Sequence, residues 1–187
     1  MTGGAIPNYV LIATSLNGFI ADRDGGLDWL TSVPDPDGSD HGYAEFLDGV
    51  DAVVMGRTTF EKVLTFDARP YDKPVFVLSA SLAAAAGDLA GKAEAVSGDP
   101  RSIVAALRER GYDNLSTDGG RTVQGFLEAD LIDELIITSV SILLGEGVPL
   151  FGRIGRTLAF RHVSTEALTP ELTKSRYVRD RGSETPA

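Results

Sequence analysis

The residues of this chain that could do chemistry gather at three short turns. VVMGRTTF, residues 53–60, hands an apolar run over to Gly56, Arg57 and Thr58; PVFVLS, residues 74–79, ends on Ser79, with Ser81 two places on; STDGGRT closes on Gly119, Gly120, Arg121 and Thr122. A guanidinium beside hydroxyls makes a planar fork suited to a terminal phosphate. Paired glycines let the backbone approach a ligand closely, and a helix that follows them directs unpaired N–H groups outward, where pyrophosphate oxygens fit. Each turn has an ordinary reading as well: Arg57 as a solvated helix start capped by Thr58 or Thr59, Ser79 and Ser81 as turn residues, Gly119-Gly120 as a tight bend. If all three share one edge of a sheet, they describe a groove for a dinucleotide with an extra phosphate, and NADP is the implied ligand.

Reduction by such a cofactor needs an electrophilic carbon held about 3 to 3.5 Å from the nicotinamide and a source for one proton. Water, the substrate or a side chain could give that proton. Asp28, in GLDWL, and His41 are the candidate side chains. Trp29, the chain's one tryptophan, is either core packing or a wall of the substrate pocket.

Other chemistries find little support. Cysteine is absent and there are only two histidines, His41 and His162, so disulfides, zinc-thiolate sites, thiol nucleophiles and imidazole-rich metal sites are ruled out or nearly so. No G-x-S-x-G motif marks a serine hydrolase. DRDGGLD lacks the glycine and glutamate spacing of a calcium loop, whose twelfth position is Val33. A formal net charge of −10 argues against nucleic acid, although a small anion responds only to donors within a Debye length of about 8 to 10 Å.

The elements that must position these turns read as an α/β protein. YVLIAT, DAVVM and PVFVLS are apolar runs suited to strands buried on both faces. Apolar residues at i, i+3, i+4 predict helices in HGYAEFLDGV and RTTFEKVL, and Val123, Phe126 and Leu127 predict another in RTVQGFLEA. Asp99-Pro100 and Gly111 bracket a further helix as N-cap, first-turn proline and terminator. AEAVS suits a short strand, SLAAAAGDLAGKA is ambiguous, and SLNGFIADRDGGLDWL is expected to be a long loop. IDELIITSVSILLG reads as one long strand, and TLAFRHVSTEAL and KSRYVRD as an antiparallel pair. The expectation is a single α/β domain over residues 1–187, ordered from about 8 to 180, its mostly parallel sheet carrying an antiparallel C-terminal edge. At 43% hydrophobic content, with no apolar stretch near the roughly 20 residues of a membrane span, a soluble cytoplasmic protein is expected.

In order, SLNGFIAD, DAVVMGRTTFE, PVFVLS, STDGGRTVQGFLEADLIDELIIT and ILLGEGVPLF resemble the dihydrofolate reductase-like superfamily. Within it the likeness is greatest to the reductase domain of the bifunctional riboflavin-biosynthesis deaminase/reductase, and it covers about residues 8–180. The resemblance implies a three-layer α/β fold, NADPH as hydride donor, a small heterocyclic or carbonyl/imine substrate such as the riboflavin-pathway pyrimidine, and a homodimer. It places Gly56, Arg57 and Thr58 at the adenosine 2′-phosphate, Ser79 and Ser81 near the adenine, and Gly119, Gly120, Arg121 and Thr122 at the pyrophosphate. Ala13, Asn17, Gly18 and Ile20 would lie along the nicotinamide. The chain departs from dihydrofolate reductases at one telling point: Gly42 falls where they carry an acid early in the first helix, with Asp40, Asp37 and Asp28 nearby. Dihydrofolate reduction, and NADP binding without turnover on the same fold, are the alternatives.

Overall fold

The computed structural model describes residues 7–66, 72–79 and 93–182. Ser81 and most of the ambiguous alanine-rich stretch lie outside the described residues. Eight strands form one sheet: β1 (Asn8–Ser15), β3 (Ala52–Gly56), β4 (Val75–Leu78), β5 (Ala93–Val96), β6 (Leu115–Asp118), β7 (Glu134–Val140), β9 (Phe160–Ala167) and β10 (Leu172–Arg179), in the order β5-β4-β3-β6-β1-β7-β10-β9. Pairing is parallel from β5 to β7, and the β9–β10 hairpin adds the expected antiparallel edge.

The expected loop after β1 is more ordered than its glycines and aspartates suggest. Its first part is a strand, β2 (Phe19–Asp22), paired antiparallel with β8 (Gly147–Pro149), and a short helix α1 (Asp28–Thr31) follows. Phe19–Asp22 sits within a stretch rich in glycine, aspartate and asparagine that reads as turn, and its partner lies more than a hundred residues away. The Asp22 carboxylate shapes the bend between β2 and α1 by accepting from the N–H groups of Asp24 (2.9 Å) and Gly26 (2.6 Å).

The remaining helices are α2 (Tyr43–Asp48), α3 (Arg57–Val63), α4 (Pro100–Glu109) and α5 (Gly120–Glu128). At the start of α4 the Asp99 carboxylate accepts from the N–H groups of Arg101 and Ser102 at 3.0 and 3.2 Å, Pro100 occupies the first turn, and Gly111 follows the end at φ 88°.

Alternation along the strands divides the core. One sheet face carries Val10, Ala52, Val54, Phe76, Leu115 and Leu135, packed against Ile103, Val104 and Leu107 of α4 and Val123, Phe126 and Leu127 of α5. The other carries Val53, Met55, Val75 and Val77 beneath Phe60 of α3, and, on β1, Tyr9 edge-on to Phe46 of α2 at 5.8 Å. Here we call these the α4/α5 face and the α2/α3 face. Among the described residues no helix is long and apolar enough to cross a membrane.

Candidate active site

The carboxyl ends of the parallel strands bring two of the three turns into direct contact. A Cβ on Gly56 would stand 2.9 Å from the Thr122 hydroxyl, and one on Gly119 would overlap the Thr59 hydroxyl. The β3–α3 and β6–α5 turns therefore interlock, each glycine leaving the room that a threonine of the other turn fills. Gly120 is constrained from the other side: a Cβ there would meet the Pro149 carbonyl at 2.9 Å and Ile20 Cδ1 at 3.2 Å. These glycines thus have a packing role that the sequence reading did not separate from a ligand-binding one. The close approach also aligns the first turn of α5, where helix geometry leaves the N–H groups of Gly120, Arg121 and Thr122 without intrahelical acceptors, beside the start of α3. Gly119 N–H is taken by its neighbour, the Asp118 carboxylate, at 2.7 Å.

A crevice opens beside these turns. β1 pairs with β6 only at Asn8–Leu115 and Tyr9–Ser116, whereas its pairing with β7 continues to Ser15. The two strands separate towards their carboxyl ends, so Ala13 and the Gly119-Gly120 turn face each other across a gap in the sheet. Ligands of open α/β sheets bind in such a place. Ile20, on β2, reaches Gly120 at one side of the gap.

Asn17 and Gly18 shape the mouth. Gly18 adopts φ 81°, and the Asn17 amide binds the 142–150 segment at both ends, Nδ2 donating to Leu144 O at 2.5 Å and Oδ1 accepting from Leu144 N at 3.1 Å. The Ser15 hydroxyl donates to Asn17 Oδ1 at 2.8 Å and accepts from Phe19 N–H at 3.0 Å. Leu16 N–H donates to Ile142 O and Leu150 N–H to Gly18 O. The first and penultimate parts of the chain are thereby bound into one rim. On the α4/α5 face this rim borders a cavity of about 400 Å³ lined by Thr14, Leu16, Ser139, Phe151, Ser175 and Tyr177, among others.

Arg57 lies exposed at the start of α3, its Nε donating to Glu61 Oε1 at 2.7 Å. Among the described residues that is its one ion pair, and it does not use the two terminal amino groups of the fork. Thr58 is exposed beside it, and Ser79 follows β4 with its N–H donated to Val96 O. The candidate proton donors lie apart from each other in the chain and in setting. Asp28 opens α1 and is exposed. Trp29, half-buried, has its indole nitrogen enclosed with no hydrogen-bond partner. His41 is half-buried at φ 51°, a left-handed backbone that a non-glycine residue adopts at some cost, and it precedes Gly42 at φ 84°. The two successive left-handed residues turn the His41 carbonyl towards Lys174 on β10, whose Nζ donates to it at 3.0 Å. The Asp40 carboxylate accepts from the N–H groups of Ala44 and Gly42, and those two hydrogen bonds hold it below its usual range.

Sequence reasoning weighed Thr59 only as a helix cap and did not single out Lys174. Thr59 is one residue beyond the predicted fork and could have been found only by knowing that Gly119 packs against it. Lys174 sits in an alternating strand whose register no local pattern reveals.

A mostly parallel sheet with an antiparallel edge, parted at its β1–β6 junction beside a glycine turn, defines a dihydrofolate reductase-like α/β protein. Comparison with known proteins narrows the class. Residues 9–174 match the model of the RibD C-terminal domain, and the chain belongs to that family. A solved structure from Shewanella sp. PV-4, provisionally assigned to riboflavin biosynthesis, is similar at 46% identity and TM-score 0.89 over 94% of this chain and 99% of that one. The uncharacterized protein YwjB of Bacillus subtilis is 35% identical over 83% of this chain and 88% of its own length. The fold alone is shared with a dihydrofolate reductase from Enterococcus faecalis complexed with NADP(H), at 17% identity and TM-score 0.65 over 94% of this chain and 98% of that one.

Proposed function

We propose that this protein is an NADPH-dependent reductase that transfers a hydride to a carbonyl or imine carbon of a small heterocyclic substrate, of the riboflavin-pathway pyrimidine reductase type. The observation that carries the reading is the β1–β6 parting, bounded by Ala13 and Ile20 on one side and by the interlocked Gly56–Thr122 and Gly119–Thr59 turns on the other. The residues present fit a dinucleotide phosphate: N–H groups of the α5 first turn with Arg121 for the pyrophosphate, and Arg57 with Thr58 for the 2′-phosphate. Ser79 and Ser81 would serve the adenine end.

When bound, NADPH supplies two electrons and a hydrogen as hydride; the C=O or C=N π pair moves to its heteroatom, which takes a proton. The chain's part is to hold and orient. Ala13, Gly18 and Ile20 make an apolar lining for a flat ring, and Asn17 keeps the rim closed around it. Trp29 would wall the substrate side, and Asp28 and His41 are the candidate proton sources. A soluble homodimer belongs to the same reading, because Leu16, Ile142, Leu143 and Phe151 expose apolar surface around the rim.

Titration of NADPH and NADH followed by Trp29 fluorescence tests the cofactor. NADPH should bind at least tenfold more tightly than NADH, and Arg57→Ala should narrow that gap by most of its extent, since a charge-assisted pair is worth about 1.5 to 3 kcal/mol. Equal affinity for the two cofactors in the wild-type protein would overturn the reading.

A further inference from the structure

The register across the sheet sets a lysine beside the hydride site. Ala13 pairs with Thr138 on β7, Thr138 with Lys174 on β10, and Lys174 with Glu166 on β9. Paired residues of neighbouring strands point to the same face, so the four side chains form one row. Alternation along β1 puts Ala13 on the face of Tyr9, which meets Phe46 of α2, and Lys174 reaches His41 and Gly42 at the head of that helix. The row therefore lies on the α2/α3 face. Ala13 presents its side chain to the α2/α3 face, so a substrate stacked on a ring lying over Ala13 lies on that face. It would meet Thr138 and then Lys174, two strand spacings or about 9.5 Å from Ala13.

Lys174 is only loosely matched in charge. Its side chain is 27% exposed; its partners are the neutral His41 carbonyl and Glu166 Oε2 at 3.7 Å, the latter on a side chain 66% exposed. Arg176, two residues on and on the same face, is by contrast fully engaged by Glu134, Nε to Oε1 at 2.5 Å and Nη2 to Oε2 at 2.8 Å. Asp40 lies close enough to feel Lys174, but its oxygens are committed to the Gly42 and Ala44 N–H groups. Beside Lys174 stands Gly42, where a Cβ would be 3.6 Å from Nζ, so Gly42 itself puts no side chain against the ammonium.

We infer that Lys174 is a specificity-determining residue that binds an oxyanion of the substrate, phosphate or carboxylate, and turns away acceptors that carry positive charge. The inference rests on the hydride site proposed above and names its substrate class: a small anionic acceptor, not a protonated base. Lys174 also ties α2 to the sheet through His41, so the experiment must separate recognition from packing.

Three probes share one ring and differ in charge: benzoate, phenyl phosphate and benzamidine. Their binding to the NADPH-saturated full-length protein can be followed by calorimetry, with the same titrations run without cofactor. One or both anions should bind at least tenfold more tightly than benzamidine, and whichever anion binds more tightly identifies the oxyanion. Lys174→Met should weaken the anion at least tenfold while changing NADPH affinity less than threefold, and Lys174→Arg should restore part of the loss. Glu166→Gln, on an exposed side chain, removes the competing carboxylate and should tighten anion binding about threefold without touching α2. Equal anion binding by wild type and Lys174→Met, or tighter binding of benzamidine than of both anions, would overturn the inference; so would an unchanged anion affinity in Glu166→Gln if Lys174→Met fails to fold. A wild-type protein that binds no NADPH refutes the reductase reading, and the cofactor-free titrations still decide on Lys174.

Discussion

Replacing Gly119 by alanine should uncouple the two interlocked turns, and its cost divides into two parts that can be measured separately. Gly119 sits at φ 89°, ψ 137°, a region that L side chains rarely adopt, and holding alanine there costs about 1 to 3 kcal/mol. The new Cβ would also overlap the Thr59 hydroxyl and lie 3.2 Å from Thr59 Cβ, where carbon atoms prefer about 3.5 to 4.0 Å. Rotating the threonine moves its hydroxyl but not its Cβ, so overpacking adds about 1 to 3 kcal/mol more. In a Thr59→Ala background the hydroxyl is gone and most of the second part should vanish, while the backbone part stays. Urea unfolding of the four proteins forms a double-mutant cycle. Gly119→Ala should cost about 2 to 6 kcal/mol alone and about 1 to 3 kcal/mol beside Thr59→Ala, a coupling of at least about 1 kcal/mol. If the substitution costs the same in both backgrounds, Thr59 does not fill the space Gly119 leaves, and the two turns do not interlock there.

Two further outcomes concern an ion pair at the far end of the sheet and the rim of the site. Asp130 meets Arg179 Nε at 2.7 Å, with Arg181 and Arg156 at 3.6 and 3.9 Å; burial alone would raise its pKa, but the Arg179 hydrogen bond and the three positive charges bring it below the usual aspartate range. The stabilisation is therefore complete above the unfolded pKa of about 3.9 and is lost as pH falls through the lower folded value. Because the Arg179 side chain is 0% exposed, Asp130→Asn should cost about 2 to 4 kcal/mol at pH 7 by chemical denaturation, and its difference from wild type should shrink below pH 4; a pH-independent difference would refute the ion-pair account. At the rim, Asn17→Ala removes both bonds to Leu144 and should cost about 1 to 3 kcal/mol, with faster amide exchange in residues 142–150. Unchanged exchange there would show that Asn17 does not hold the rim.

The strands and helices of the parallel half were legible because each carries its own signal. Val53, Val54 and Met55 form a continuous apolar run because both faces of β3 are covered, and Asp99, Pro100 and Gly111 mark both ends of α4 with residues whose backbone chemistry suits those positions. β2 and β8 carry no such signal. Phe19–Asp22 is a strand only because Gly147–Pro149 lies alongside, and Gly147 is required there because a Cβ would overlap the Ala21 carbonyl oxygen. That information is split between two ends of the chain, neither of which reads as a strand alone.

The same division runs through the site. Arg57, Thr58, Gly119 and Gly120 stand out in one dimension because a strand, a polar turn and a helix follow one another within a few residues. The row proposed to meet the substrate runs perpendicular to the chain: Ala13, Thr138, Lys174 and Glu166 meet only through three strand pairings, and a slip of one residue in any of them would turn Lys174 to the opposite face. The bulge between Arg176 and Tyr177 absorbs an irregularity on the far side of Lys174 without disturbing that row, and the Arg176–Glu134 fork pins the same register from the neighbouring position. Lys174 is thus held in that row by the β7–β10 ladder, and it becomes the charged residue on the α2/α3 side of Ala13.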